Sequence, residues 1–267
     1  MSVPTDTRSK PLHALREELG PELSPRLESR WLAALADDPR RGARELARQL
    51  ARRREARHRE ARRLARLFAR RRALFATGAR HVAGVDEVGV GPLAGPVVAA
   101  AVVLPQRVAL PGLDDSKRLR REERERLAAA IHEQALAVSV AELDPAEVDR
   151  RNILQASLEA MRRAVAALRP APDHVLVDAH RIPDLDRPQT PLVHGDARDG
   201  SIAAASIVAK VHRDARMREL DRLHPGYGFA RHKGYPTPDH LRALEQRGPC
   251  AIHRRSFAPV SARLAER

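Results

Sequence analysis

The stretch that decides the fold is His81–Leu104, HVAGVDEVGVGPLAGPVVAAAVVL. Two adjacent carboxylates, Asp86 and Glu87, close an apolar, β-branched segment, and a glycine-rich loop leads from them into a second apolar run. Gly89, Gly91 and Gly95 invite comparison with a phosphate cradle. Such a cradle opens directly into a helix whose first N–H groups face the phosphate. Here Pro92 and Pro96 remove two donors, and the chain continues as Val-Val-Ala-Ala-Ala-Val-Val, which reads as a strand. The cradle is rejected, and with it a dinucleotide-dependent oxidoreductase. Two strands joined by a glycine loop remain, with an acidic pair at the end of the first.

Downstream, residues 136–143 (LAVSVAEL), 173–180 (DHVLVDAH) and 190–196 (TPLVHGD) read as further strands. Helical patterns separate them over 121–135, 145–168 and 202–223, and a short helix follows over 238–246. Strands in close succession and then in alternation with helices predict an α/β domain, a mixed sheet flanked by helices, from about 80 to 222.

Charged groups at the end of an apolar strand are costly unless something positive neutralises them. Neighbouring strand residues point to opposite faces, so Asp86 and Glu87 reach one ion only if the chain distorts. The glycines that follow could supply that distortion, or Glu87 could act through its main-chain carbonyl. Asp178 ends HVLVD and Asp196 ends PLVHGD. A single strand-terminal Asp is ordinarily a turn or helix cap. Four carboxylates at the ends of three strands are harder to explain that way, and converging on one sheet edge they would suit Mg²⁺ or Mn²⁺.

Charge points to the partner. The 267 residues carry a net +14, for a pI near 11.2, which implies a polyanion, nucleic acid before an anionic membrane. Between 41 and 75 there are fourteen arginines against three glutamates, a net +11. This proline-free segment reads as one long helix, begun by Asp38–Pro39 and stopped by Gly78. Its sequence fits a basic arm along a phosphate backbone better than a solvated helix packed by one edge, and both readings stay open. The single cysteine, Cys250, excludes an intramolecular disulfide and a cysteine-rich zinc site. Residues 1–20 lack the apolar core of a secretory signal, and the longest apolar run, 97–104, is too short to cross a bilayer. The expectation is a soluble, cytoplasmic protein.

GVDEVGVGPLAGPVVAAAVVL resembles the first motif of ribonuclease HII, and the resemblance continues in order. LDDSKRL (113–119), NILQASLEAMRRAV (152–165), VLVDAH, GDARDGSIAAASIVAKVHRD (195–214), HPGYGFARHKGYPTPDH (224–240) and GPCAIHRRSFAPV (248–260) all look like family blocks. The resemblance implies a ribonuclease-H-like sheet over 79–222, a basic helical N-terminal extension over 1–78, and a C-terminal helical segment over 223–267 that aids substrate recognition. It also implies a monomeric metal-dependent endoribonuclease that cuts RNA in RNA–DNA hybrids and 5′ to ribonucleotides embedded in DNA.

In that pattern Asp86, Glu87, Asp178 and Asp196 are the catalytic and metal-binding set. One Mg²⁺ or Mn²⁺ ion would activate water and a second would stabilise the departing 3′ oxygen. Tyr235 matches the family tyrosine beside the ribonucleotide–deoxyribonucleotide junction. Lys117, Ser206 and Lys210 are expected phosphate contacts, with a solvated lysine the rival reading for Lys117. Tyr227 reads equally as core or as a stacking ring, Phe229 as core, and His253–Arg255 as backbone contacts or as structure. The family loop reads glycine-arginine-glycine, whereas here Gly89 and Gly91 flank Val90. That departure implies retained metal-dependent cleavage with weakened junction discrimination or affinity. A protein that merely holds hybrids is the binding-class alternative, and the intact carboxylate set opposes it.

Overall fold

The structure, a computed structural model, describes residues 7–20 and 23–265. The chain divides into two compact units, Met1–Arg63 and Leu64–Arg267.

The first unit contains α1 (Leu12–Glu18), α2 (Pro25–Ala36) and most of α3 (Arg41–Leu67). Its core is Leu15, Leu19, Trp31, Leu35, Ala43, Leu46 and Leu50. Ser24 caps α2, its hydroxyl accepting from Leu27 N–H, with Pro25 in the first turn. Asp38, the expected cap of α3, does something else. It is buried, accepts from Thr7 Oγ1 at 2.9 Å and from the Arg40 N–H at 3.0 Å, and pairs with the Arg40 guanidinium at 2.7 Å. Those Arg40 bonds hold its carboxyl far below the usual range. The first helical N–H groups, from Ala43 and Arg44, reach the carbonyl of Arg40 instead.

The predicted single helix over 41–75 is interrupted at Phe68, between α3 and α4 (Ala69–Ala76). No proline or glycine marks the break. Phe68 is buried with its ring filling the space a side chain on Gly200 would need. The Arg71 guanidinium lies 4.7 Å from the Phe68 ring centre and 5.3 Å from that of Phe75. Gly78 terminates α4 as expected, at φ +102°, with Ala79 N–H returning to Leu74.

The second unit is built on a five-stranded sheet of order β3-β2-β1-β4-β5. Its strands are β1 (Val82–Val88), β2 (Val97–Val103), β3 (Ala137–Leu143), β4 (His174–Asp178) and β5 (Gln189–Leu192). β2 runs antiparallel to both β1 and β3, while β4 runs parallel to β1 and β5 parallel to β4. The mixed sheet is the expected one. The glycine loop makes a wide hairpin between β1 and β2, and the β1-to-β4 return passes through α5 (Arg121–Gln134), β3, α6 (Pro145–Arg151) and α7 (Ile153–Ala167).

β2 has no polar face because both of its faces are covered. Val98, Ala100 and Val102 pack with Ala203–Ala205 and Ile207 of α9 (Gly200–Leu223). Val97, Ala99, Ala101 and Val103 pack with Ala156, Ala160, Met161 and Ala164 of α7. The predicted 145–168 helix is two helices, divided at Asn152, whose φ of 68° breaks α6 and whose side chain caps α7 at Gln155 N–H, 3.0 Å away. The strand expected over 190–196 stops at Leu192, and residues Gly195–Arg198 form the short helix α8. The C-terminal part adds α10 (Phe229–His232), α11 (Pro238–Arg247) and α12 (Ala258–Ala265). No helix among the described residues is long and apolar enough to cross a membrane.

Candidate active site

Register brings the first two carboxylates together. β1 and β4 are paired in parallel through Val85 and Val177, so Asp86 and Asp178 are the next residues on neighbouring strands and share a face. That face is covered by α9, which approaches β1 so closely that a side chain on Gly84 would overlap the main chain of Ser201. Two turns along α9, Ser206 hydrogen-bonds Asp86 and sits 2.9 Å from the Ser116 hydroxyl. Asp178 accepts from Gly195 N–H at 2.6 Å, which ties β4 to α8.

By alternation Glu87 belongs to the opposite face, yet its carboxylate lies within 4.8 Å of those of Asp86 and Asp178. The distortion expected from the glycines is not used. β1 stays paired with β2 through Val88, and the left-handed φ of +94° comes only at Gly89. The pairing of β4 with β1 ends at Val85 and Val177, just before the three carboxylates.

Asp196 does not end a strand. It lies in α8, its Oδ1 accepting from Ala197 N–H at 2.9 Å and its Oδ2 from Lys117 Nζ at 2.8 Å. It is outside the tight trio but close enough to raise the pKa of Asp86 and Glu87.

The electrostatics describe a site short of positive charge. Burial, then Glu87 and Asp178, push the Asp86 carboxyl well above its ordinary value. Burial and Asp178 push Glu87 up to about 7, and burial raises Asp178. Glu87 Oε2 is buried without a hydrogen-bond partner. Clustered carboxylate oxygens, one of them orphaned, fit a hard divalent cation such as Mg²⁺ or Mn²⁺.

The other expected residues divide. Val90, Gly91 and Tyr235 are exposed, Val90 by 40% and Tyr235 by 39%, and a Cβ on Gly91 would sit 3.6 Å from the tyrosine ring. Gly89 is buried, where a side chain would collide with Arg213. Lys210 is held by Asp214 at 2.6 Å, not directed at the acidic trio. Tyr227 is structural: it stacks on buried Phe229 with ring centres 5.2 Å apart and donates to Gly248 O at 2.7 Å.

Sequence alone passes over Arg213 and leaves Arg254 undecided. Both are fully buried, and both donate to carbonyls of the 89–96 loop. The sequence signal is their place inside the family-like blocks, but an arginine in a basic chain reads first as a surface residue.

This sheet and its carboxylates define a ribonuclease-H-like, metal-dependent nuclease. Among solved structures the chain is similar to ribonuclease H2 from Pyrococcus horikoshii OT3, with a TM-score of 0.60 and 27% identity over 70% of this chain and 98% of that one. It is also similar to Bst-RNase HIII in complex with Mn²⁺, with a TM-score of 0.53 and 26% identity over 71% and 70% of the two chains. The Ribonuclease HII family model matches residues 83–260. The ribonuclease HII of Anaeromyxobacter sp. (strain Fw109-5) is 53% identical over 89% of this chain and 74% of its own. That of Geobacillus kaustophilus (strain HTA426) is 49% identical over 94% of each. The chain belongs to the ribonuclease HII family, and is thus a metal-dependent hydrolase that cuts RNA endonucleolytically.

Proposed function

We propose that this protein cuts the RNA strand of RNA–DNA hybrids and nicks duplex DNA 5′ to an embedded ribonucleotide, acting as a monomer with Mg²⁺ or Mn²⁺. The observation that carries the reading is the carboxylate trio Asp86, Glu87 and Asp178, within 4.8 Å around the partnerless Glu87 oxygen. Asp196 completes the proposed set. Two bound ions would supply Lewis acidity at the phosphate and a lowered pKa for the attacking water.

The chain's own groups supply position. Ser206 and Gly195 N–H orient Asp86 and Asp178 by hydrogen bonds. Lys117, whose side chain is largely exposed, now neutralises Asp196 and lies where an incoming phosphate would compete for it. Lys210 would join a phosphate only by leaving Asp214. Val90 and Gly91 offer main chain to the nucleic acid beside Tyr235, with buried Gly89 setting the turn at φ +94°, and the Tyr235 ring is proposed to sense the step from ribose to deoxyribose. Repulsive carboxylates facing a polyanion would disadvantage a mere binder, which argues against the binding-class reading.

A labelled DNA duplex with one ribonucleotide, incubated with Mg²⁺, Mn²⁺ or EDTA, tests the proposal. Nicking 5′ to the ribonucleotide that requires metal and disappears in Asp86→Asn is expected. Nicking in EDTA, or an active Asp86→Asn protein, would refute it.

A further inference from the structure

Arg254 is fully buried and is in no ion pair among the described residues, although the charge of Asp149 attracts it. Its whole donor set is directed at one loop. Nε and Nη2 donate to Gly95 O at 3.1 and 3.0 Å, Nη2 also to Gly89 O at 2.6 Å, and Nη1 to Val90 O at 3.0 Å. Arg213, equally buried, reaches Pro96 O at 3.0 Å, Ala94 O at 3.3 Å and Lys233 O at 3.0 Å. Burying a guanidinium without an ion-pair partner is expensive, and burial, followed by the nearness of Arg213, depresses Arg254 to about 9. A planar fork of donors is the group that can hold several carbonyls at once.

Holding those carbonyls has a consequence on the other side of the loop. In a trans peptide the C=O and the following N–H point in opposite directions. With the Gly89 and Val90 carbonyls turned inward to Arg254, the N–H groups of Val90 and Gly91 turn outward. Both residues are exposed, neither N–H has a partner among the described residues, and the Tyr235 ring lies alongside Gly91.

We propose that Arg254 is a positioning residue for substrate: from beneath the loop it aims the Val90 and Gly91 N–H groups at the ribonucleotide, and with Arg213 it lends that loop a fixed positive charge. The proposal rests on the reading of the Val90–Tyr235 edge as the junction site. Donors fixed in advance lose little entropy when they meet the substrate, which favours binding. A loop carrying Val90 in place of an arginine thereby keeps cationic character without a flexible side chain.

The full-length protein as Arg254→Met and Arg254→Lys tests this on duplex DNA carrying one ribonucleotide, at fixed Mg²⁺. For Arg254→Met, KM rises about tenfold with kcat within about twofold, the size expected for losing one or two aligned donors. Arg254→Lys, which keeps the charge but not the fork, falls between. An unchanged KM, or a loss carried by kcat, overturns the proposal. If the Met variant does not fold, as read by thermal melting, the Lys variant decides by the same split. Tyr235→Ala separates this inference from the reading beneath it. Loss of preference for the single ribonucleotide over a uniform hybrid keeps the junction reading. An unaltered preference removes the junction from this edge and overturns the proposal with it.

Discussion

At Val90 the main chain and the side chain are under different constraints. The carbonyl is fixed by Arg254, whereas the side chain is 40% exposed. An arginine can therefore be introduced without displacing core. In Val90→Arg a charge-assisted contact of about 1.5 kcal/mol, the low end expected for an exposed group, gives a roughly tenfold gain on single-ribonucleotide duplex over uniform hybrid. Equal preference in the two proteins would leave Val90 without a role in discrimination. At Asp86 the constraint is charge. Glu87 is raised from 4.5 to about 7 by burial and Asp178, so its contribution to stability is complete below 4.5 and lost as pH rises through 7. Asp86 and Asp178 are raised in the same sense. In chelator at pH 8 Asp86→Asn should be more stable than the parent by about 1–3 kcal/mol, a few degrees of melting temperature, although it no longer cuts. Saturating divalent metal should close or reverse that gap. A parent that melts higher in chelator would mean the carboxylates are not strained.

Among elements, α3 carries the most positive charge. Ala43, Leu46 and Leu50 face the core of the first unit, and Arg41, Arg44, Arg48, Arg52, Arg59 and Arg62 lie on the opposite, exposed side. Glu55 pairs with Arg59 at 2.8 Å and Glu28 with Arg57, which leaves Arg52 and Arg62 without acidic partners among the described residues. A stripe of this kind fits a phosphate backbone, and replacing Arg48, Arg52, Arg59 and Arg62 by Gln in the full chain should flatten the salt dependence of hybrid binding. Each phosphate no longer neutralised lowers the log–log slope by about 0.9; an unchanged slope would return the stripe to the solvated-helix reading. Truncation is best made at Arg63, because cutting at 75 would also remove buried Phe68 and Arg71 from the second unit. The basic helix, the five strands and the gathering of Asp86, Glu87 and Asp178 were legible because apolar periodicity and charge are local properties of the chain. The break at Phe68 was not, since it is set by the space above Gly200, far away in sequence. Nor was the nearness of Glu87 to Asp178, since strand alternation places Glu87 on the other face. Asp196 was assigned to a strand because PLVHGD is apolar enough to continue one, and the left-handed turn at His194 that starts α8 has no such signature.

At the scale of the whole molecule, two groups of buried residues pull stability in opposite directions between pH 7 and 4. The raised carboxylates favour the folded state as pH falls. The histidine core beneath Tyr235 opposes them. Cys250 N–H donates to His253 Nδ1 at 3.0 Å, so His253 Nε2 carries the proton and donates to His240 Nε2 at 3.1 Å. His240 Nδ1 then donates to Tyr235 O at 2.9 Å. This chain requires both rings neutral. Burial, followed by the nearness of His240, lowers His253 to about 4, and burial lowers His240. Between 6.5 and 4 the unfolded chain takes up a proton at His253 that the folded one refuses, so stability falls by about 1.4 kcal/mol per pH unit and levels off below 4. Most of the opposing carboxylate contribution is removed in Asp86→Asn/Glu87→Gln, whose melting temperature in chelator should therefore fall from pH 6.5 to 4 more steeply than the parent's. Adding His253→Gln, which retains an amide donor near Nε2 but cannot titrate, should take one proton's worth from that slope. An identical slope with and without His253→Gln would show that the histidine chain is not what acid breaks.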